Sequence, residues 1–180
     1  MSRLTPPLGP RDHTQGSARA LVELVEYGDF ECPHCGAAYP IVKAIQQAMG
    51  SKLSFAYRHF PLTRIHPHAE HAAEIAEAAG EHTKFWEMHD LLFEHQDALE
   101  DEQLAAYAKT LGIDPAWATQ ALLDERFQPR VRADFASGVR SGVNGTPTFF
   151  INEFRYDGGA DTLLDALMEA TIDAPLKSGG

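Results

Sequence analysis

The sequence predicts an α/β fold, and three observations carry that reading. An apolar, β-branched run at 20–27 is followed by apolar residues at helical spacing and then by an alternating stretch at 51–59, a strand–helix–strand order. Residues 67–141 keep a helical pattern throughout. A short apolar run at 149–151 precedes Phe154-Arg155-Tyr156 as a hairpin, and a last helix follows at 162–171.

The elements follow in order. Residues 1–17 read as loop with one short edge segment. Ala20-Leu-Val-Glu-Leu-Val-Glu-Tyr27 reads as a buried strand. In the helix after it, Ala37, Ala38, Ile41, Val42, Ile45, Ala48 and Met49 recur on one face. Ser51-Lys-Leu-Ser-Phe-Ala-Tyr-Arg-His59 is the next strand, completing a right-handed βαβ unit. In the helical stretch, Phe85, Met88, His89, Leu92 and Phe93 form one stripe, and Leu104, Tyr107, Ala108 and Leu111 another. Asp114-Pro115 is a helix cap followed by a first-turn proline. Stripes of this kind are core faces more often than cofactor boxes.

The chain has two cysteines, and they stand together in Cys32-Pro33-His34-Cys35, where the first strand gives way to the helix. A C-x-x-C at such a junction in a cytosolic-looking chain reads as a thioredoxin-like redox site. The first helical turn has unpaired N–H groups and the positive end of the dipole, so a thiolate at Cys32 is stabilised there. Pro33 suits the first helical position, where no N–H is needed. His34 can donate a hydrogen bond or partial positive charge to the sulfur. Such surroundings lower a cysteine pKa from about 8.5 to roughly 3.5–7.5. Cys35, one turn further in and more buried, is placed to attack a mixed disulfide. The bland alternatives are a structural disulfide or half of a zinc site, but a bridge closing so short a loop adds little stability. Downstream, Gly145-Thr146-Pro147-Thr148 puts a proline at the entrance of an apolar strand. A cis proline there, facing the thiols, would form a second wall whose backbone near Thr146 pairs with an extended substrate.

Taken together, Val25-Glu-Tyr-Gly-Asp-Phe-Glu-Cys-Pro-His-Cys35, Tyr57-Arg-His-Phe-Pro-Leu62, His66-Pro-His-Ala69, Lys84-Phe-Trp-Glu-Met-His-Asp-Leu-Leu-Phe93 and Gly145-Thr-Pro-Thr-Phe-Phe-Ile-Asn152 resemble the DsbA-like family of thiol–disulfide oxidoreductases. More narrowly, the chain is similar to the thioredoxin_4-type branch, which includes the thioredoxin-like domain fused to some sodium/proton antiporters. The resemblance implies a thioredoxin fold with an inserted helical domain: 1–66 carries the Cys-Pro-His-Cys site, 67–141 the insertion, and 142–180 the proline loop, hairpin and last helix. It implies Cys32 as nucleophile, Cys35 as resolving thiol, Pro147 as cis proline with Thr146 before it, and Glu26 as a buried acid near the resolving thiol. Pro40 matches a proline that kinks the active-site helix. The hairpin turn reads Asn152-Glu153 where many relatives have Asn-Gly, the favoured type I′ pair.

At 180 residues the chain is long enough for one cored domain with an insertion. A net charge of −11 argues against nucleic-acid binding. No stretch approaches the roughly 18–20 apolar residues of a membrane span, and 1–20 has no apolar segment of a signal peptide, so a cytoplasmic location is expected. His59, His66, His68 and His71 cluster in sequence, yet match no zinc spacing; neither metal nor cofactor is expected. Two functional classes follow. One is an enzyme exchanging disulfides with protein or peptide substrates, recharged by a partner such as glutathione or a thioredoxin-type donor. The other is a redox-sensing or metal-binding protein that uses the same thiols without turnover.

Overall fold

A computed structural model describes residues 2–172; the end of the expected 142–180 segment lies outside them. Five strands, β1 (His13–Gly16), β2 (Val22–Gly28), β3 (Leu53–His59), β4 (Thr148–Ile151) and β5 (Phe154–Tyr156), form one sheet in the order β1-β3-β2-β4-β5. The central pair β2 and β3 is parallel, joined through α1 (Pro33–Met49), and the other pairings are antiparallel. The edge segment expected within 1–17 is β1, which runs against β3.

Period-two alternation assigns each strand two faces. Leu24, Phe55 and Tyr57 point to the side covered by α1, whose Cys35, Ala38, Val42, Ile45 and Met49 are its buried stripe. Val25, Tyr27, Ala56 and Phe150 point to the other side. There α6 (Gln128–Arg140) closes on the sheet at Gly138, where a Cβ would stand 2.6 Å from the Phe60 ring. Pro40 lies inside α1.

The stretch expected to be helical throughout resolves into α2 (Ala69–Glu81), α3 (Phe85–Glu94), α4 (Asp101–Thr110), α5 (Pro115–Leu123) and α6, all between β3 and β4. The breaks have local causes: Thr83 and Glu125 adopt positive φ, and Asp114 Oδ1 caps α5 by accepting from the Ala116 N–H at 3.0 Å. α3 buries all five residues of its expected stripe. A final helix, α7 (Leu163–Ile172), buries Leu163 and Leu167. Among the described residues, no helix is long and apolar enough to cross a membrane.

Candidate active site

The thiols sit where β2 turns into α1. Cys32 is the N-cap, with extended backbone at φ −73° and ψ 121°, and Pro33 occupies the first helical turn. The Cys32 N–H donates to the Asp29 carbonyl at 3.1 Å, and the Cys32 carbonyl accepts from Gly36 N–H at 3.0 Å. Both cysteines are free thiols. β4 pairs with β2 in the register Tyr27↔Thr148, which carries the preceding loop across to the sulfurs. The Thr146–Pro147 peptide bond is cis, and Cys32 Sγ donates to the Thr146 carbonyl at 3.5 Å.

The two thiols differ sharply in acidity. The Cys35 thiol, hydrogen-bonded to Cys32, is the largest influence lowering the Cys32 pKa to about 4; burial opposes it, and Thr146 and the Cys35 and His34 backbone N–H groups add to it. Burial first, then the bond to Cys32 and the charge of Glu26, push Cys35 well above the ordinary thiol value. Glu26 projects from β2 onto the α1 side, directly opposite Tyr57 on β3 and Phe149 on β4. Burial, then the charge at Cys32, raise its pKa to about 8, and its Oε1 has no hydrogen-bond partner.

Both cysteines are buried, and Cys35, at 0% exposed against 3% for Cys32, is the more buried of the two as expected. One expectation changes in detail. The His34 ring is exposed and makes no hydrogen bond among the described residues; its contribution to Cys32 comes through its backbone N–H. The ring instead lines an open cleft of about 350 Å³ with Ala37, Ile41, Thr146, Pro147 and Phe149.

The histidines expected as a cluster are dispersed to separate acids. His66 Nδ1 bonds Asp29 Oδ2 at 2.7 Å, His68 Nδ1 bonds Glu31 Oε1 at 2.9 Å, His71 Nδ1 bonds Asp101 Oδ1 at 2.6 Å, and His59 Nε2 bonds Glu77 Oε1 at 2.8 Å. Asp29, Glu31 and Gln96 escaped the sequence reading. Asp29 accepts from the Leu62 and Glu31 N–H groups, both at 2.8 Å, and so ties the loop after β3 to the loop before Cys32. Gln96 Nε2 donates to the carbonyls of Phe30 at 2.8 Å and Cys32 at 2.9 Å. It reaches them because Gly36 has no side chain: a Cβ there would lie 1.9 Å from Gln96 Oε1. The glycine after the motif was the one available signal for this approach.

A parallel βαβ core, a dithiol at its helix start and a proline loop opposite define a thioredoxin-fold protein. The chain belongs to the thioredoxin family described by the Thioredoxin_4 model, which matches residues 9–173. It is 44% identical over 177 residues to the Na(+)/H(+) antiporter NhaA 3 of Salinispora tropica, covering 97% of this chain and 27% of that protein. It is 39% identical over 170 residues to the Na(+)/H(+) antiporter NhaA of Herminiimonas arsenicoxydans, covering 93% and 27%. The chain thus spans about a quarter of the length of these relatives. Among solved structures, it matches oxidised BdbD from Bacillus subtilis with a TM-score of 0.80 at 24% identity, covering 89% of this chain and 93% of that one. It matches alpha-DsbA1 from Wolbachia pipientis with a TM-score of 0.79 at 20% identity, covering 93% of this chain and 94% of that one. The fold is therefore DsbA-like.

Proposed function

We propose that the protein is a thiol–disulfide oxidoreductase acting on protein or peptide substrates through Cys32 and Cys35. The observation that carries this reading is the geometry: two free thiols held together at one helix start, with Cys32 Sγ 3.5 Å from the Thr146 carbonyl beside the cis Pro147; the opposed directions of their acidity accord with it. At neutral pH Cys32 is a thiolate. It attacks one sulfur of a substrate disulfide, the substrate S–S bond breaks, and the leaving thiolate takes a proton from solvent. Cys35 then transfers its proton to Glu26 and attacks Cys32 Sγ, releasing the second substrate thiolate and forming the Cys32–Cys35 disulfide. The substrate is reduced by two electrons and the enzyme is oxidised by two; the reverse sequence oxidises a substrate dithiol.

Glu26 suits this timing. Its pKa is raised first by burial and second by the Cys32 charge, and that charge disappears once Cys32 enters a mixed disulfide. The acid loses its proton more readily then, while burial continues to hold its pKa up, so Glu26 becomes a better acceptor at the step when Cys35 must lose its own proton. The cleft beside His34 and Pro147 accepts the apolar part of an extended segment, and the Thr146 backbone pairs with its main chain.

Direction follows from the surroundings. A stabilised thiolate favours the reduced enzyme, so its disulfide is oxidising. In a reducing cytoplasm the enzyme rests as the dithiol and works as a reductase or isomerase, with glutathione or a thioredoxin-type donor restoring it. Equilibration in glutathione buffers measures this poise. For the activity itself, Cys35→Ala should trap mixed disulfides with client proteins in a non-reducing pull-down from lysate, using Cys32→Ala/Cys35→Ala as the blank. Capture no greater than the blank would overturn the protein-substrate reading.

A further inference from the structure

Away from the thiols, four ligand-type side chains from four elements meet behind the end of β3. One nitrogen of His59, one carboxylate oxygen of Glu77 and one of Asp134 lie within 4.8 Å of one another, and all three residues are buried. His59 Nε2 is 2.8 Å from Glu77 Oε1. From the edge strand β1, His13 Nε2 lies 3.0 Å from both Glu77 oxygens. Its ring is held by stacking on Phe85, with centroids 3.6 Å apart and planes 5° from parallel. Its side chain is 22% exposed, so the cluster has an opening to solvent on that side.

The charges around this point do not balance with fixed groups alone. Glu77 and Asp134 are two buried carboxylates. Arg130 is the permanent cation among them: it bonds Asp134, its Nε is 4.0 Å from Glu77 Oε2, and its Nη2 donates to the Arg11 carbonyl at 3.1 Å. One negative charge is left for a histidine proton or for another cation. Donor atoms around a four- to six-coordinate ion with bonds of about 2.0–2.2 Å stand roughly 2.8–3.6 Å apart. The His59–Glu77 separation of 2.8 Å falls in that range. Imidazole with carboxylate is a donor set for zinc and neighbouring first-row divalent ions, whereas calcium and magnesium take oxygen ligands.

We propose that His59, Glu77 and Asp134 bind one first-row divalent cation, with zinc as the fitting ion, His13 holding Glu77 from the outer side and Arg130 as the protein's own competing cation. Bound there, the ion joins β3 to α2 and α6 and so clamps the sheet to the helices that lie between β3 and β4. The site is independent of Cys32 and Cys35 and of the oxidoreductase reading.

The test uses the full chain with Cys32→Ala/Cys35→Ala, stripped with chelator, so that thiols cannot contribute. Co²⁺ is titrated as the spectroscopic probe, Zn²⁺ is used to displace it, and equilibrium dialysis counts the ions. One Co²⁺ per chain, displaced by Zn²⁺, is expected. His13→Ala, at the partly exposed edge strand, should weaken binding by about tenfold or more, the scale of losing a residue that orients a ligand. Arg130→Gln should tighten binding, because a competing cation is removed. A purely structural ion-pair network gives the opposite pattern: Arg130→Gln destabilises the fold and no ion binds. Absence of stoichiometric Co²⁺, binding indifferent to His13→Ala, or binding not strengthened by Arg130→Gln would each overturn the proposal.

Discussion

Cys32 and Cys35 carry the same side chain three positions apart, yet one is driven toward pKa about 4 and the other well above its ordinary value. The difference begins with the hydrogen bond between them: a thiol that donates to its neighbour's sulfur holds its own proton and helps the neighbour lose one. Removing that donor should therefore matter more than removing an exposed ring. Cys35→Ala is expected to raise the Cys32 pKa by more than one unit, worth about 1.4 kcal/mol per unit, and His34→Ala by less. The pH dependence of alkylation at Cys32, read with a small reagent, measures both. An equal or larger shift in His34→Ala would show that the ring acts on the sulfur after all. At Glu26 the expectation is kinetic. Glu26→Gln keeps the shape and removes the acceptor, so formation of the mixed disulfide should persist while its resolution slows by about 10²-fold or more, the usual range for a lost general base. Rapid-quench trapping of the intermediate separates the two steps. Resolution at the original rate would leave Glu26 a buried acid without a role in exchange.

The hairpin between β4 and β5 shows how an element tolerates an unfavourable residue. Asn152 and Glu153 both take positive φ, 47° and 72°, the backbone that Asn-Gly adopts easily. Left-handed backbone costs a residue with a Cβ about 1–2 kcal/mol. Glu153 recovers part of this by pairing with Arg3 at 2.6 Å, and its carbonyl accepts from the Leu4 N–H at 2.7 Å, anchoring the N-terminal segment beside β5. The Arg3 side chain is 65% exposed, and surface pairs contribute only about 0–1 kcal/mol. The backbone cost therefore outweighs the pair, while the carbonyl bond survives any substitution. Glu153→Gly should raise the melting temperature by about 1–2 °C, taking a net gain near 0.5 kcal/mol and roughly 2–4 °C per kcal/mol for a chain of this size. A lower melting temperature would mean that the Arg3 pair is worth more than its exposure indicates.

Across the whole molecule, stability is coupled to protons held in the interior. Glu74, on α2, is 1% exposed, its Oε2 has no partner, and its pKa is raised to about 7, first by burial. The folded chain keeps this proton where the unfolded chain releases it near 4.5. Its contribution to stability is thus complete below pH ~4.5 and is lost as pH rises through about 7. Glu77 behaves in the opposite sense: its bonds to His13 and His59 overcome burial and hold its pKa low, so it contributes above the unfolded value and its contribution falls away in acid. Glu74→Gln mimics the protonated acid at every pH. It should match the parent in urea unfolding at pH 5 and exceed it by about 1–2 kcal/mol at pH 8, after allowance for solvent screening. Coincident curves at pH 8 would place the Glu74 carboxylate in water.

Much of this protein was legible in its sequence because the signals are local. The alternation in β3, the helical stripe of α1 and the Pro33 start depend on neighbours a few residues away, and Cys32 and Cys35 announce a dithiol by spacing alone. The expected strand at 20–27 and helix at 162–171 differ from β2 and α7 by a residue or two at the ends, where chain termini of elements compete with turns. The rest required distant pieces of chain to meet. Gln96 reaches the carbonyls before α1 only after α3 has packed on that helix, and nothing around position 96 names its partner. The four histidines that stand together in sequence part company because α2 and the loop before it face different acids, while His13 and Glu77, 64 positions apart, become neighbours. Periodicity and motif spacing determined the elements, their order and the thiol pair. Tertiary structure decided which side chains share a cluster, as at Gln96 and at His13 with Glu77, because such contacts depend on what packs against a residue and not on what precedes it.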